Sequence, residues 1–184
     1  YDGGVNFVDG YGAMCREGKY AIIDKTGREV TPYIYDKVVH PFADGLAMVT
    51  IDGKYGYVNT EGVEVVPVEY LVMGRFCEGL AATRDEETGL YGFIDNRVII
   101  PFEYDFVGSF ADGRAAVCLQ GKCGFIDTTG DVAIAIQYDY VGNFEDGLAI
   151  VGAGEDFYYI DTDGNFVRDY DDNILRAKVP DFMD

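Results

Sequence analysis

Phe110-Ala111-Asp112-Gly113-Arg114-Ala115 is the stretch on which the fold turns, because it is one of a set. Phe42-Ala43-Asp44-Gly45-Leu46-Ala47, Phe76-Cys77-Glu78-Gly79-Leu80-Ala81 and Phe144-Glu145-Asp146-Gly147-Leu148-Ala149 carry the same pattern, each 34 residues from the next. A weaker copy, Phe7-Val8-Asp9-Gly10, stands one residue out of step. A fixed period means that one supersecondary unit is used about five times, and that neighbouring units share a core none of them can build alone.

Each hexapeptide opens a unit of regular grammar: an apolar stretch, a turn, an aromatic-glycine stretch, a second turn, a Val/Ile stretch, and a longer connection to the next Phe. In the second copy this predicts strands at Leu46 to Ile51, Lys54 to Asn59 and Val63 to Pro67. Asp52-Gly53 between the first two is a strong hairpin signal, because a type I′ turn needs positive φ at both central residues. Glu17-Gly18 and Gln120-Gly121 fill the same slot, and Glu61-Gly62, Thr26-Gly27, Thr129-Gly130 and Asp163-Gly164 fill the second turn. The third copy lengthens its first turn (Asp85-Glu86-Glu87-Thr88-Gly89) and shortens its second (Asp95-Asn96-Arg97-Val98), so its spacing is kept. A period of 34 also suits helical tetratricopeptide arrays. Glycine and β-branched residues run through the whole unit, however, which rejects helices of useful length.

Composition agrees. Fifteen Tyr, twelve Phe, no Trp and 24 Gly suit half-buried strands joined by tight turns. The net charge of -19 repels phosphate backbones and anionic headgroups, so nucleic acid and membrane surfaces are poor partners; the same charge also keeps an aromatic-rich surface soluble. No apolar run is long enough to span a bilayer, so no membrane insertion is expected. The chain opens at Tyr1 rather than Met, as a trimmed fragment would, and no charged-then-apolar leader is read there.

Chemistry-bearing residues were weighed against structural roles. Acidic residues recur at Asp9, Asp44, Glu78, Asp112 and Asp146, and at Asp24, Asp95, Asp127 and Asp161. Paired carboxylates serve hydrolases, but a reaction needs one site whereas a turn is needed in every unit, so turn roles are expected. Asp161-Thr162-Asp163-Gly164-Asn165 is a fragment of a calcium-loop pattern without its remaining ligands, so no metal or other cofactor is expected. His40, the only histidine, precludes a zinc site with two imidazoles and reads as a loop residue. The four cysteines share no repeat position. A hairpin at Gln120-Gly121 would set Cys118 opposite Cys123 in a non-bonded pair about 4.5 Å apart at Cα. That is compatible either with a disulfide or with two reduced thiols packed as small hydrophobes.

Gly53-Lys54-Tyr55-Gly56-Tyr57-Val58-Asn59, Leu90-Tyr91-Gly92-Phe93-Ile94-Asp95 and Gly121-Lys122-Cys123-Gly124-Phe125-Ile126-Asp127, taken with the Phe-x-Asp/Glu-Gly-Leu-Ala element, resemble the bacterial WG-repeat (KWG-repeat) family over about residues 7 to 164. The namesake Trp position holds Tyr20, Tyr55, Tyr91, Cys123 and Phe157, and the glycine after it becomes Ala21 and Tyr158 in the outer copies. A glycine there implies that another strand or ring approaches the bare backbone closely. The resemblance implies an interaction or scaffold module, commonly in envelope-associated, secreted or multidomain proteins, which leans towards a bacterial cell-envelope or extracellular location. It brings no catalytic residues.

The expected fold is therefore all-β: a tandem array of about five three-stranded antiparallel units, solenoid-like, with a closed propeller-like toroid as the alternative. Residues 1–164 form the array, with units starting near 7, 42, 76, 110 and 144, and residues 165–184 form a C-terminal cap or tail with room for one helical turn. The Tyr-rich connections supply the candidate interaction surface, Tyr35, Tyr70, Tyr104, Tyr138 and Tyr140, since Tyr combines contact area with a polar tip. Those rings can equally close the core between units. The expected function is a non-catalytic scaffold for protein–protein contacts, with a cell-envelope glycan as a further possible ligand; the alternative is a hydrolase using a carboxylate pair unique to one unit.

Overall fold

The computed structural model describes residues 3–43 and 45–170. None of these residues is helical, and none of the sheets they form closes into a barrel. The first sheet holds β1 (Gly3–Val8), β2 (Tyr11–Arg16) and β3 (Lys19–Asp24). The second holds β4 (Lys37–Ala43), β5 (Leu46–Ile51), β6 (Lys54–Asn59) and β7 (Glu64–Tyr70), and the third β8 (Met73–Cys77), β9 (Leu80–Arg84), β10 (Tyr91–Ile94) and β11 (Val98–Tyr104). β12 (Phe106–Val107), β13 (Ala115–Leu119), β14 (Lys122–Ile126) and β15 (Val132–Tyr138) form the fourth sheet; β16 (Tyr140–Val141), β17 (Leu148–Ala153), β18 (Asp156–Asp161) and β19 (Phe166–Asp169) form the fifth.

Each sheet is an antiparallel meander in chain order. The two hairpin strands of the second copy lie where the grammar puts them. The difference is a fourth strand: the connection leading into the hexapeptide pairs with the strand after it, as Val107 does with Val117 and Val141 with Val151, so four of the sheets carry four strands. The connection's polar backbone finds its partners there. Residues 166–169, assigned to the cap by sequence, are the outer strand of the fifth sheet, and residues 171–184 lie outside the described residues. His40 lies within β4 opposite Met48, between two register shifts, rather than in a loop.

The turns follow the glycine punctuation. Asp52 and Gly53 have φ of 50° and 77°, Gln120 and Gly121 52° and 78°, as two-residue I′ turns require. The Asp-Gly of the hexapeptide is a turn of the same kind, with Asp112 at 53° and Gly113 at 73°. At the second turn an acidic or amide side chain closes the loop: the Asp127 carboxylate accepts from the Thr129 and Asp131 N–H groups, Asp24 from Thr26 and Arg28, Asp161 from Asp163 and Asn165, and the Asn59 amide oxygen from Glu61 and Val63. The Thr26 and Thr129 hydroxyls, which also donate to Asp24 and Asp127, and then the backbone bonds, which lead at Asp161, favour the ionised acid and hold the Asp24, Asp127 and Asp161 carboxyls below the usual carboxylate range.

The glycine after the ring position has a separate cause. On β14, Cys123 pairs with Tyr138 and Phe125 with Ile134, so the three residues Ala135, Ile136 and Gln137 of β15 stand opposite Gly124 alone. A Cβ on Gly124 would lie 2.6 Å from the carbonyl oxygens of Ala135 and Ile134. Gly56 meets Val66 O at 2.7 Å under the same bulge of β7, and Gly92 meets Ile100 O at 2.5 Å. The group that approaches is therefore backbone, and only hydrogen fits beneath it.

The chain divides into two compact units, Tyr1–Glu103 and Tyr104–Asp184, where the unbroken period pointed to one continuous array. Within the first unit the core repeats between successive sheets. Ile22 and Tyr35 pack with Phe42, Ala47, Val49 and Val58 of the second sheet, and Met48, Tyr57 and Val66 on that sheet's other face pack with Ala81 and Ile94 of the third. In the second unit Ala116, Phe125, Ile134 and Tyr138 meet Phe144, Ala149, Val151 and Ile160. The hexapeptide Phe reaches the ring or side chain displayed by the sheet before it: Phe144 lies 4.7 Å from Phe125, Phe76 5.3 Å from Tyr57, and Phe42 4.6 Å from Tyr11. Burying such a ring contributes roughly 2–3 kcal/mol.

Candidate interaction surface

The Tyr-Asp-x-Val connection gives a different job to each of its first three residues. Its Tyr turns inward: Tyr35 (2 % exposed), Tyr104 (3 %) and Tyr138 (5 %) are core residues, and Tyr70 is half-buried against the core shared by Tyr57 and Ile94. Burial pushes the Tyr35 and Tyr70 phenols up from their ordinary value. Of the five tyrosines assigned to a recognition surface, only Tyr140 holds its ring in the open, at 49 % exposure. It occupies the x position of its motif, whereas the others occupy the Tyr position.

The Asp ties the connection to its own sheet's first hairpin. Asp36 accepts from the Asp52 N–H at 2.7 Å, Asp105 from Gln120 at 2.6 Å and Asp139 from Gly154 at 2.9 Å. Lys19 and Lys122, one sheet earlier in the chain, pair with Asp36 and Asp139. The side-chain bond from Lys19 and the backbone bond from Gly154 are the leading causes that hold the Asp36 and Asp139 carboxyls low.

The x residue points outward and is large: Val72 (41 %), Phe106 (53 %) and Tyr140 (49 %). Lys37, also exposed, takes the position in the second sheet. This is the signal that reading the motif from its Tyr missed. The Tyr and the x residue belong to successive sheets: Tyr104 ends β11 of the third and Phe106 opens β12 of the fourth, and Tyr138 ends β15 of the fourth and Tyr140 opens β16 of the fifth.

Register assembles these positions into one cross-strand row per sheet. In the fourth sheet the row runs Phe106, Cys118, Cys123, Tyr138; in the second it runs Lys37, Thr50, Tyr55, Tyr70. In the fifth, Tyr140 stands opposite Gly152 and Gly152 opposite Phe157, whose carbonyl accepts from the Tyr170 N–H. Tyr140, Phe157 and Tyr170 form a shelf, with centroids 6.0 and 6.4 Å apart. The Phe157 ring lies across Gly152, where a Cβ would come within 2.7 Å of it. In the fourth sheet a disulfide takes this place: Cys118 and Cys123 are bonded, with Cα atoms 4.0 Å apart, so the pair is the bridge and not the two thiols. Cys15 and Cys77 are free thiols.

The shelf forms part of a groove of about 1270 Å³ on the fifth sheet, with Glu155, Asp156 and Asp169 also lining it. Of the acidic residues weighed as hydrolytic pairs, Asp24, Asp127 and Asp161 close turns, and Asp44 lies outside the described residues. Among the described residues no three His, Cys, Asp or Glu side chains come together as a metal site, and no helix is long and apolar enough to cross a membrane.

Comparison with curated proteins finds no match. Among solved structures, one described as "Crystal structure of the eukaryotic initiation factor" aligns with a TM-score of 0.49 at 15% identity, over 85% of this chain and 51% of that one. Hsv2 of Kluyveromyces lactis aligns at TM-score 0.46 and 11% identity over 95% and 63% of the two chains, and a structure described as Kluyvelomyces marxianus Hsv2 at 0.44 and 12% over 83% and 60%. This chain spans less than two thirds of the length of each, and likenesses at this level carry no argument about what it does. The family model described as "WG containing repeat" matches residues 21–55, 55–87, 91–123 and 124–153. With the hexapeptide turns, the bulge-covered glycines and the ring positions all falling at that period, the chain belongs to the WG-repeat family.

Proposed function

We propose that this chain is a non-catalytic scaffold that binds a protein partner through the exposed x residues of the connections in its second unit, Phe106 and Tyr140. The observation that carries this reading is their conformity: one register position, on the fourth and fifth sheets, holds a large apolar side chain about half exposed on a strongly acidic chain. Folding gains nothing from leaving them out, whereas contacts repeated at a fixed spacing add by avidity. A partner that offers apolar pockets rimmed by basic groups fits this chemistry. The aromatic shelf of Tyr140, Phe157 and Tyr170 favours a glycan as the second reading, because sugar rings stack on such faces.

The experiment is affinity capture with the intact chain and with a Phe106→Ser/Tyr140→Ser variant, identification of what is captured, and titration of that species. The scaffold reading requires binding at least tenfold weaker in the variant, with an unchanged melting temperature. A partner bound equally by both proteins would move the surface elsewhere. Turnover of an ester, amide or glycoside, abolished by one non-repeated carboxylate substitution, would replace the reading with the hydrolase alternative.

A further inference from the structure

The fifth sheet displays a face that its predecessors have covered. In the fourth sheet Ala116 and Phe125 are 2 % and 0 % exposed because Phe144 and its sheet close over them; in the second, Met48 and Tyr57 are 3 % and 4 % exposed. The equivalent residues of the fifth sheet are Ile150 and Tyr159, both only half-buried, and Phe157, at the position of Cys123, is 42 % exposed. Wherever such a face is covered in the described cores, the covering ring is the Phe of a Val-x-x-Phe-x-Asp/Glu segment or its close variant, as Val141-Gly142-Asn143-Phe144-Glu145-Asp146 is for the fourth sheet.

The chain carries one more such segment, Val179-Pro180-Asp181-Phe182-Met183-Asp184. It matches Val107-Gly108-Ser109-Phe110-Ala111-Asp112 and Val141 to Asp146 at the Val, Phe and Asp positions. Tyr170-Asp171 precedes it as Tyr138-Asp139 precedes Phe144, and Tyr170 lines the groove. Twelve residue steps separate Tyr170 from Phe182, against six from Tyr138 to Phe144, so the chain has length to spare. Charge agrees as well. At the position of Ile134 the fifth sheet has Arg168, whose guanidinium lies 4.7 Å over the Tyr159 ring. An arginine on that face suits a phenylalanine flanked by Asp181 and Asp184.

We infer that the Ile150–Tyr159 face of the fifth sheet is a docking site for the chain's own segment Val179–Asp184, with Phe182 seated beside Tyr159 as Phe144 is seated beside Phe125. The docking face shares its groove with the Tyr140–Phe157–Tyr170 shelf, whereas Phe106 lies outside that groove.

Hydrogen exchange by mass spectrometry on the intact chain and on Phe182→Ala tests it. The substitution should speed exchange across Asp156–Asp161 by about tenfold and leave Ala115–Leu119 unchanged. A synthetic peptide of residues 176–184, added in excess to the variant, should restore protection, and the same peptide with Phe182 replaced by Ala should not. Identical exchange in parent and variant would overturn the inference. So would protection that falls as the parent is diluted, because a second copy would then be the occupant.

Discussion

The fourth and fifth sheets differ where the family's glycine stands. In the fourth, Gly124 lies under a three-residue bulge of β15; in the fifth, Tyr158 pairs directly with Asp169, and β19 slips register only one step later, between Tyr159 and Ile160. Tyr158 is accommodated because nothing crosses its Cα, and its ring packs on the shared core at 6.4 Å from Tyr138. The glycine is thus a consequence of the bulge in the next strand. The ring before it is not its cause, since Phe157 precedes Tyr158 and Cys123 precedes Gly124.

The largest test of this contrast is the buried Phe of the hexapeptide. Phe144→Ala and Phe110→Ala, both emptying buried sites, should each cost about 3–5 kcal/mol in denaturant unfolding, and Phe76→Ala, half-buried, visibly less. Equal losses at all three would mean that the Phe positions act through the turn rather than the core. Gly124→Ala comes next. Its new methyl meets carbonyl oxygens that cannot swing aside, and a loss of about 3 kcal/mol is expected, with Gly56→Ala and Gly92→Ala behaving alike. Tyr158→Gly should lose only ring packing and backbone entropy, so a penalty matching that of Gly124→Ala would break the bulge argument.

The bridge supplies a smaller effect. Cys118 and Cys123 close a short loop, so reduction should cost at most about 2 kcal/mol, seen as a lower melting temperature with dithiothreitol that a Cys118→Ser/Cys123→Ser variant does not show. The smallest effect is acid sensitivity. Asp127 has its folded pKa depressed below the unfolded value of about 3.9, so its contribution is present above that pH and is lost as the pH falls through the folded pKa. Asn59 makes the same two turn bonds in the second sheet without a proton to gain. Asp127→Asn should therefore leave the melting temperature at pH 7 nearly unchanged and flatten its decline below about pH 4.

Local chemistry was legible because each turn states its own requirement. Asp52-Gly53 and Gln120-Gly121 adopt the left-handed pair that their residues tolerate, and the strands beside them run where alternation ends. In the fourth and fifth sheets the added strand was not legible, because Phe106-Val107 and Tyr140-Val141 are two residues long and show no period of their own; they become strands only beside β13 and β17. In the same connection the candidate surface was read from the Tyr, whereas the side chains that stand in the open, Phe106 and Tyr140, lie two positions after it. Composition marks Tyr35, Tyr104 and Tyr138 as recognition residues as readily as core residues, and only the register of β14 against β15 and its counterparts decides which ring turns inward.

By itself, then, the sequence determined the period, the turn at each Asp-Gly or Gln-Gly, the all-β class and the family, since all of these follow from which backbone angles a residue tolerates over a few neighbours. Tertiary structure alone decided the bulge over Gly124, the burial of three candidate tyrosines and the aromatic face left on the fifth sheet. Those depend on which residue of a distant strand lies opposite, and a register shift of one position inverts every side chain's environment without changing the residues that make it.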